Sequence, residues 1–382
     1  MLVLTSPHRK KVLLYLGKFP GYGFDVDGGS ILARQLIDSL KYNCNLTVVF
    51  IRKKGETYTD PYVNEIRYVE YKNPFGNKFV RRLQNLDTNR TAIGNFKQYD
   101  IIITAHVSKF FGFEDAPSDF WNRTILFPMF CTSSYQRAGE NVPLEYTNKE
   151  RFVFKKVRKI ITPSESERND LIVDYNVDFD KISVVYRGIH PQFRPIYKKY
   201  DMEQPQIVCI GSIKKQKNNM AALELLNLLV KMGVNATVNF VGTIQDQSIY
   251  EQMLWFIKKY HLSQKVHFFF EQTQEQVAKI VQKSDINISV SNWETFGRGI
   301  FEGISCGLPT FVFSHLTGVR KICQGNSGVY FVETIEEMAL GIERVVKSPL
   351  IYHQMSDSLK ELAEKVSYER ESTALINIIL NS

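Results

Sequence analysis

Short apolar runs of strand length recur along the chain, separated by segments of helical periodicity. This alternation constrains the fold more than any other feature. In the first half the runs fall at 11–16, 46–51, 101–104, 124–127, 160–162 and 182–185. In the second half they fall at 206–210, 236–241, 266–270, 286–290 and 310–313. Helical patterns lie between them, such as 30–40, 220–232, 249–260, 273–283 and 335–347. Continuous apolar strands of this kind belong to parallel sheets covered on both faces by helices. A chain of 382 residues also exceeds what one core usually supports. Two doubly wound α/β domains, joined near 195–205, are therefore expected. Such open sheets bind ligands beyond the carboxyl ends of their strands, which directs attention to the loops that follow.

Composition narrows the setting. A hydrophobic content of 44% and a charged content of 23% are those of a globular chain. No apolar run approaches the roughly 20 residues needed to span a bilayer. Arg9, Lys10 and Lys11 come after a short apolar patch, the reverse of a secretory signal. Cys44, Cys131, Cys209, Cys306 and Cys323 are scattered and lack metal-type pairing. That usage fits a reduced, cytoplasmic location. Lys plus Arg number 48 against 40 Asp plus Glu, a formal charge of +8. The excess permits phosphate ligands, anionic lipid or nucleic acid without choosing among them.

The chemically richest segment is Glu294-Thr-Phe-Gly-Arg-Gly-Ile-Phe-Glu302, running into Gly303-Ile-Ser-Cys-Gly-Leu-Pro309. Glu302 is expected to open a small-residue helix that stops at Gly307 and Pro309. A helix start reached through glycines offers backbone N–H groups to an anion. A carboxylate one turn in suits the vicinal hydroxyls of a sugar. Phosphate and ribose together suggest a nucleotide. A bare pair of glutamates at this spacing would describe only a capped, salt-bridged strand–loop–helix; the intervening Phe-Gly and the following Cys-Gly-Leu-Pro make the string far more specific.

Glu-x-Phe-Gly-x4-Glu followed by Gly-Leu-Pro resembles the C-terminal-domain signature of the retaining glycosyltransferases of family 4. The resemblance implies a GT-B fold, two Rossmann-like domains facing across a cleft. Residues 1–195, joined by a terminal helix at 366–382, would form the acceptor-side domain, and 196–365 the nucleotide-sugar side. For that terminal helix, a simple C-terminal cap is the alternative to packing on the first domain. The backbone of Phe296, Gly297, Arg298 and Gly299 would hold the diphosphate together with Lys217. Glu302 would accept from the ribose hydroxyls, and Glu294 would engage the donor sugar.

Other strand-end loops resemble the same family. Gly28 and Gly29, with Ser30 as a helix cap, match a first loop lining the site near diphosphate and acceptor; by themselves they read as a flexible loop. His106, directly after the run 101–104, stands where family members often carry a histidine near the transferred sugar, although a lone histidine at a strand end is more often structural. Gly211-Ser-Ile-Lys-Lys-Gln-Lys217-Asn218 resembles the element whose Arg and Lys clamp the diphosphate. Lys217 matches the lysine, but Ser212 occupies the arginine position and gives one neutral hydrogen bond in place of a charged fork. Lys214, Lys215 or Arg298 would compensate. Asn239–Thr243 and 268–273 correspond to the next two strand-end loops, and the strings at 160–171 and 184–195 to the approach to the hinge, with Arg187 and His190 where Asn and Asp are usual. Asp25-Val-Asp27 is read as no metal site, since Asp178-Phe-Asp180 shows how readily the pattern arises.

The family implies a metal-independent, retaining transfer of a sugar from a nucleoside diphosphate donor, without a further cofactor, to a glycan, lipid-linked or small-molecule acceptor. The base, expected to be that of UDP or GDP, is not readable, because backbone atoms contact it. The rival class is a noncatalytic partner subunit or glycan-binding protein, for which Ser212 speaks; an epimerase or a phosphorylase is disfavoured by the motif. The stretches 71–83 and 149–159 interleave aromatics with basic residues. They suit a peripheral contact with anionic membrane or a lipid-linked acceptor, or helices with one solvated basic face. Nucleic acid is not expected as a partner, because no recognised binding module accompanies them.

Overall fold

The computed structural model describes residues 9–17, 20, 28–51, 57–73, 75–129, 131–137, 139–196 and 202–381. Asp25 and Asp27 lie outside them. The chain divides into two compact units, Met1–Val185 with Ser372–Ser382, and Tyr186–Glu371.

The first unit holds a parallel sheet of β1 (Lys11–Leu16), β2 (Asn45–Ile51), β3 (Glu65–Val69), β4 (Ile101–Ala105), β5 (Thr124–Phe127), β6 (Lys159–Thr162) and β7 (Ile182–Val184), in the order β3-β2-β1-β4-β5-β6-β7. The second holds β8 (Gln206–Ile210), β9 (Thr237–Gly242), β10 (Val266–Phe270), β11 (Ile286–Ser289), β12 (Thr310–Phe313) and β13 (Val329–Val332), in the order β10-β9-β8-β11-β12-β13. In each sheet the winding direction reverses once, between β1 and β4 and between β8 and β11. Such reversals open a crevice at the carboxyl ends of the two strands.

The apolar runs are continuous because each strand feeds two cores. Leu13 and Tyr15 of β1 pack into one layer with Phe110, Phe120 and Tyr146, whereas Val12, Leu14 and Leu16 pack into the other with Leu36 and Phe50. In β8, Ile207 and Cys209 face one layer and Val208 the other. This is the period-two consequence of covering both faces. All five cysteines are buried and free. Among the described residues, no helix is long and apolar enough to cross a membrane.

Two strands, β3 and β13, add to those expected from the apolar runs. The last helix, Tyr368–Leu380, contributes Leu375 and Ile379 to the first unit's core. At its start, buried Glu371 accepts from the Gly188 amide (2.7 Å) and from Arg187 Nη1 (3.4 Å). Burial raises the Glu371 pKa, and Arg187 and the Gly188 amide oppose that. Arg187, which replaces the family's usual residue, thus balances a buried carboxylate.

Helix start and strand end meet through glycines in the second unit. A Cβ at Gly303 would lie 2.2 Å from Asn287 Cγ. Asn287, fully buried on β11, donates to the Ile300 carbonyl (3.0 Å) and to Thr310 Oγ1 (3.2 Å), tying helix to sheet. Gly303→Ala therefore forces a clash with a side chain that cannot retreat without losing two hydrogen bonds. Urea unfolding should show a loss of about 3 kcal/mol. Adding Asn287→Ala should recover part of it, with a coupling of about 1 kcal/mol or more in the double-mutant cycle; strictly additive losses would refute the contact.

Candidate functional site

The carboxyl ends of β8 and β11 carry the main candidate site. After β8 the chain turns through Gly211, whose φ is +152°. A Cβ there would stand 3.0 Å from Lys217 Cε, so the lysine stem lies directly over the bare backbone. Gly242 at the end of β9 and Gly299 approach just as closely, since their Cβ atoms would fall 2.3 Å from the Gly211 carbonyl oxygen and 2.7 Å from that of Ile210. Three segments thus converge backbone on backbone, an arrangement only glycine permits.

The loops after the two strands are stitched together. The Asn292 amide donates to the Gln216 carbonyl (2.8 Å), Asn292 Nδ2 to that of Lys215 (2.9 Å), and Gln216 Nε2 to that of Trp293 (3.0 Å). Asn218 takes the left-handed conformation that asparagine tolerates, with φ +50°. These bonds bring Lys217 Nζ to 2.6 Å from Glu294 Oε1. The same oxygen accepts from Ser291 Oγ at 2.7 Å. His315 Nε2 lies 3.0 Å from the Ser291 carbonyl; since a carbonyl only accepts, this nitrogen carries the proton.

The helix that follows is Arg298–Ser305, capped by Gly297 at φ +83°. It opens four residues earlier than the sequence suggested, so Glu302 lies in its second turn. With no side-chain cap at Gly297, glycine geometry and not a capping residue sets the start. Phe296 is 4% exposed and stacks on Phe301 at a centroid distance of 4.5 Å. Its ring is core, and only its backbone is available to a ligand.

Glu302 is 6% exposed, and its carboxylate accepts no hydrogen bond from a described residue. Burial raises its pKa, and the charges of Arg298 and Lys217 oppose the rise. Ser212 Oγ is engaged with Thr243 Oγ1 at 3.0 Å. Lys217, Glu294, Gly297, Arg298, Gly299 and Glu302 are therefore gathered in one place, around a charge pair and a second carboxylate short of donors. Ser291, which anchors Glu294, escaped sequence reading; its only signal was its position two residues past β11.

In the first unit, Gly28 and Gly29 begin the helix Gly28–Leu40. His106 follows β4 with φ +131° and ψ +132°, a conformation costly for any residue but glycine. The Ser108 amide donates to its Nδ1 at 3.1 Å, and Nε2 lies 3.3 Å from Tyr135 Oη. The neutral ring therefore carries its proton on Nε2. Burial, reinforced by Arg82, Lys109 and Lys78, pulls its pKa well below the usual histidine range.

The model described as "Glycosyl transferases group 1" matches residues 193–366, and the model described as "Glycosyltransferase Family 4" matches residues 26–193. The poly(glycerol-phosphate) alpha-glucosyltransferase of Bacillus subtilis is 25% identical over 167 residues, 43% of this chain and 24% of that protein. The match spans between 24% and 59% of the length of the first four curated relatives. Among solved structures, a sucrose-phosphate synthase from Thermosynechococcus elongatus superposes with a TM-score of 0.79 at 14% identity, covering 98% of this chain and 99% of that one. HepE of Anabaena, solved in complex with UDP, superposes with a TM-score of 0.78 at 12% identity, covering 98% and 100%. Both have the GT-B fold.

An unsatisfied buried carboxylate should cost stability. The folded pKa of Glu302 is raised, so the cost is present above that pKa and disappears as pH falls through it toward the ordinary carboxylate value. Glu302→Gln should melt about 2–4 °C higher than the parent at pH 7.5. The gap should close near pH 4; a lower melting point at pH 7.5 would show the carboxylate to be satisfied.

Proposed function

The chain belongs to the glycosyltransferases, matched by two of that family's models over residues 26–366, and from this we propose that it moves a sugar from a nucleoside diphosphate sugar to an acceptor hydroxyl. We assign it a retaining reaction without a metal cofactor. The observation that carries the reading is the Lys217–Glu294 pair at 2.6 Å, set beside buried Glu302 at the β8–β11 crevice.

The pair is built to receive a diphosphate and a sugar together. An ammonium has three N–H donors, so Lys217 keeps Glu294 while donating to a phosphate oxygen. Glu294 has a second oxygen for a sugar hydroxyl. The backbone of Phe296 to Gly299 at the helix start adds the dipole that favours an anion. Glu302 lacks hydrogen-bond donors, and the two ribose hydroxyls supply them.

In the proposed step the acceptor oxygen bonds to the anomeric carbon on the face from which the diphosphate departs. The bond from that carbon to the phosphate oxygen breaks, and the acceptor's proton passes to the leaving phosphate. Lys217 and the helix start stabilise the charge that develops there. Ser212, tied to Thr243, adds little charge stabilisation, which leaves Lys217 and the Arg298 region to supply it. HepE was solved with UDP, so UDP-sugars come first among donors to test.

Lys217→Ala should lower kcat/KM for the donor about 100-fold or more, as loss of one charge-stabilising group usually does. Glu302→Ala should chiefly raise the donor KM. Turnover should persist in EDTA. Wild-type constants in both variants would dismiss the site assignment, strict dependence on manganese would dismiss the metal-free step, and absence of any calorimetric heat with UDP or GDP would favour a noncatalytic partner.

A further inference from the structure

The crevice at the other sheet's reversal, between β1 and β4, holds two cations that pair with no carboxylate among the described residues. Lys109 follows His106 on a short 3-10 turn and is 4% exposed. Its ammonium donates to Tyr71 Oη at 3.3 Å and lies 5.0 Å and 5.4 Å from the ring centroids of Tyr15 and Tyr71. Arg82, from the helix Lys78–Gln84, donates from Nη1 to Tyr135 Oη (3.0 Å) and Tyr146 Oη (3.3 Å). Among the described residues neither cation pairs with a carboxylate. Lys78 has Glu140 at 2.6 Å. Glu150, whose charge reaches Arg82, makes no ion pair with it; its Oε2 accepts from the Thr132 amide and Tyr175 Oη, and its buried Oε1 has no partner among the described residues.

Burying Lys109 among neutral phenols, with half-buried Arg82 beside it, is expensive for a fold, and groups perturbed in this way cluster at functional sites. A Cβ at Gly17, just past β1, would stand 3.2 Å from Lys109 Cε. Tyr71 and Arg82 remain partly exposed at the rim. We propose that Lys109 and Arg82 seat an oxyanion carried by the acceptor, a phosphate ester or a carboxylate, at the β1–β4 crevice. This rests on the glycosyltransferase reading above, and it makes the acceptor an anionic molecule. Burial, with the charge of Arg82 added, holds the Lys109 pKa down to about 7; an anion alongside would restore the ammonium.

Calorimetry on the full chain tests this with glycerol 3-phosphate, with malate as the carboxylate arm, and with glycerol as the neutral control. The wild type should bind one or both anions and not glycerol, and the stronger of the two identifies the oxyanion. Lys109→Met and Arg82→Gln should each weaken that binding at least about tenfold, while Lys217→Ala leaves it unchanged. Lys109→Met keeps the volume and removes the buried charge, so it should fold and melt above the parent. Anion binding lost in Lys217→Ala but kept in Lys109→Met would place the anion in the nucleotide site and overturn the inference. UDP binding without any glycerol 3-phosphate or malate binding would overturn it while leaving the proposed function standing. Absence of anion binding together with absence of any heat with UDP or GDP would remove the proposed function as well.

Discussion

The second unit's site depends on one packing constraint, the absence of side chains where β8 ends. The carbonyls of Ile210 and Gly211 face Gly299 and Gly242 at distances that exclude a Cβ. Because nothing intervenes, the start of the helix Arg298–Ser305 abuts the strand end, and the Lys217 stem lies across Gly211. The ion pair and the buried Glu302 inherit their positions from that contact. A methyl group at any of these glycines would push the helix start away from the strand end, and so separate the amides of residues 296–299 from Lys217.

The two crevices are electrostatic opposites, and each is incomplete in a way folding does not reward. In the second unit a buried carboxylate lacks donors among the described residues, whereas in the first buried Lys109 and half-buried Arg82 hydrogen-bond to phenols. Desolvated groups of this kind raise the energy of the ligand-free protein. They lower the energy of a complex by the same logic, because a ligand of matching chemistry finds its partners already oriented and dry. Lys217 and Glu294 solve the problem differently. Each satisfies the other, and the ammonium keeps N–H groups beyond the one that Glu294 takes.

The strands that feed two cores were legible because both faces demand apolar residues. The two that were not, β3 and β13, are edge strands of their sheets. Their burial is partial and interrupted, with Glu65, Arg67 and Tyr330 at the surface or half-buried, so the continuous apolar signal disappears. Glu302 and Lys217 were legible from a motif, but their environments were not. The sequence places Lys217 and Glu294 77 residues apart, and only the stitched loops reveal the pair. The helix start at Arg298 was misplaced because Gly297 leaves no capping side chain to read. Arg82 and Tyr71 looked like part of a basic, aromatic surface at 71–83. In the fold the rings of Tyr71 and Phe79 turn inward and carry the guanidinium with them.

Tyr135 links the first unit's histidine to its cations. Its Oη accepts from Arg82 Nη1 and, given the ring's tautomer, from His106 Nε2–H. A phenol oxygen has two lone pairs, so these two bonds saturate it as an acceptor. His106 is thereby held in a backbone conformation that only over-determined packing sustains, with Ser108 on one ring nitrogen and Tyr135 on the other. Burial and three nearby cations oppose protonation of the imidazole. With Nδ1 accepting from the Ser108 amide and Nε2–H given to Tyr135, the neutral ring has both of its nitrogens committed to the protein.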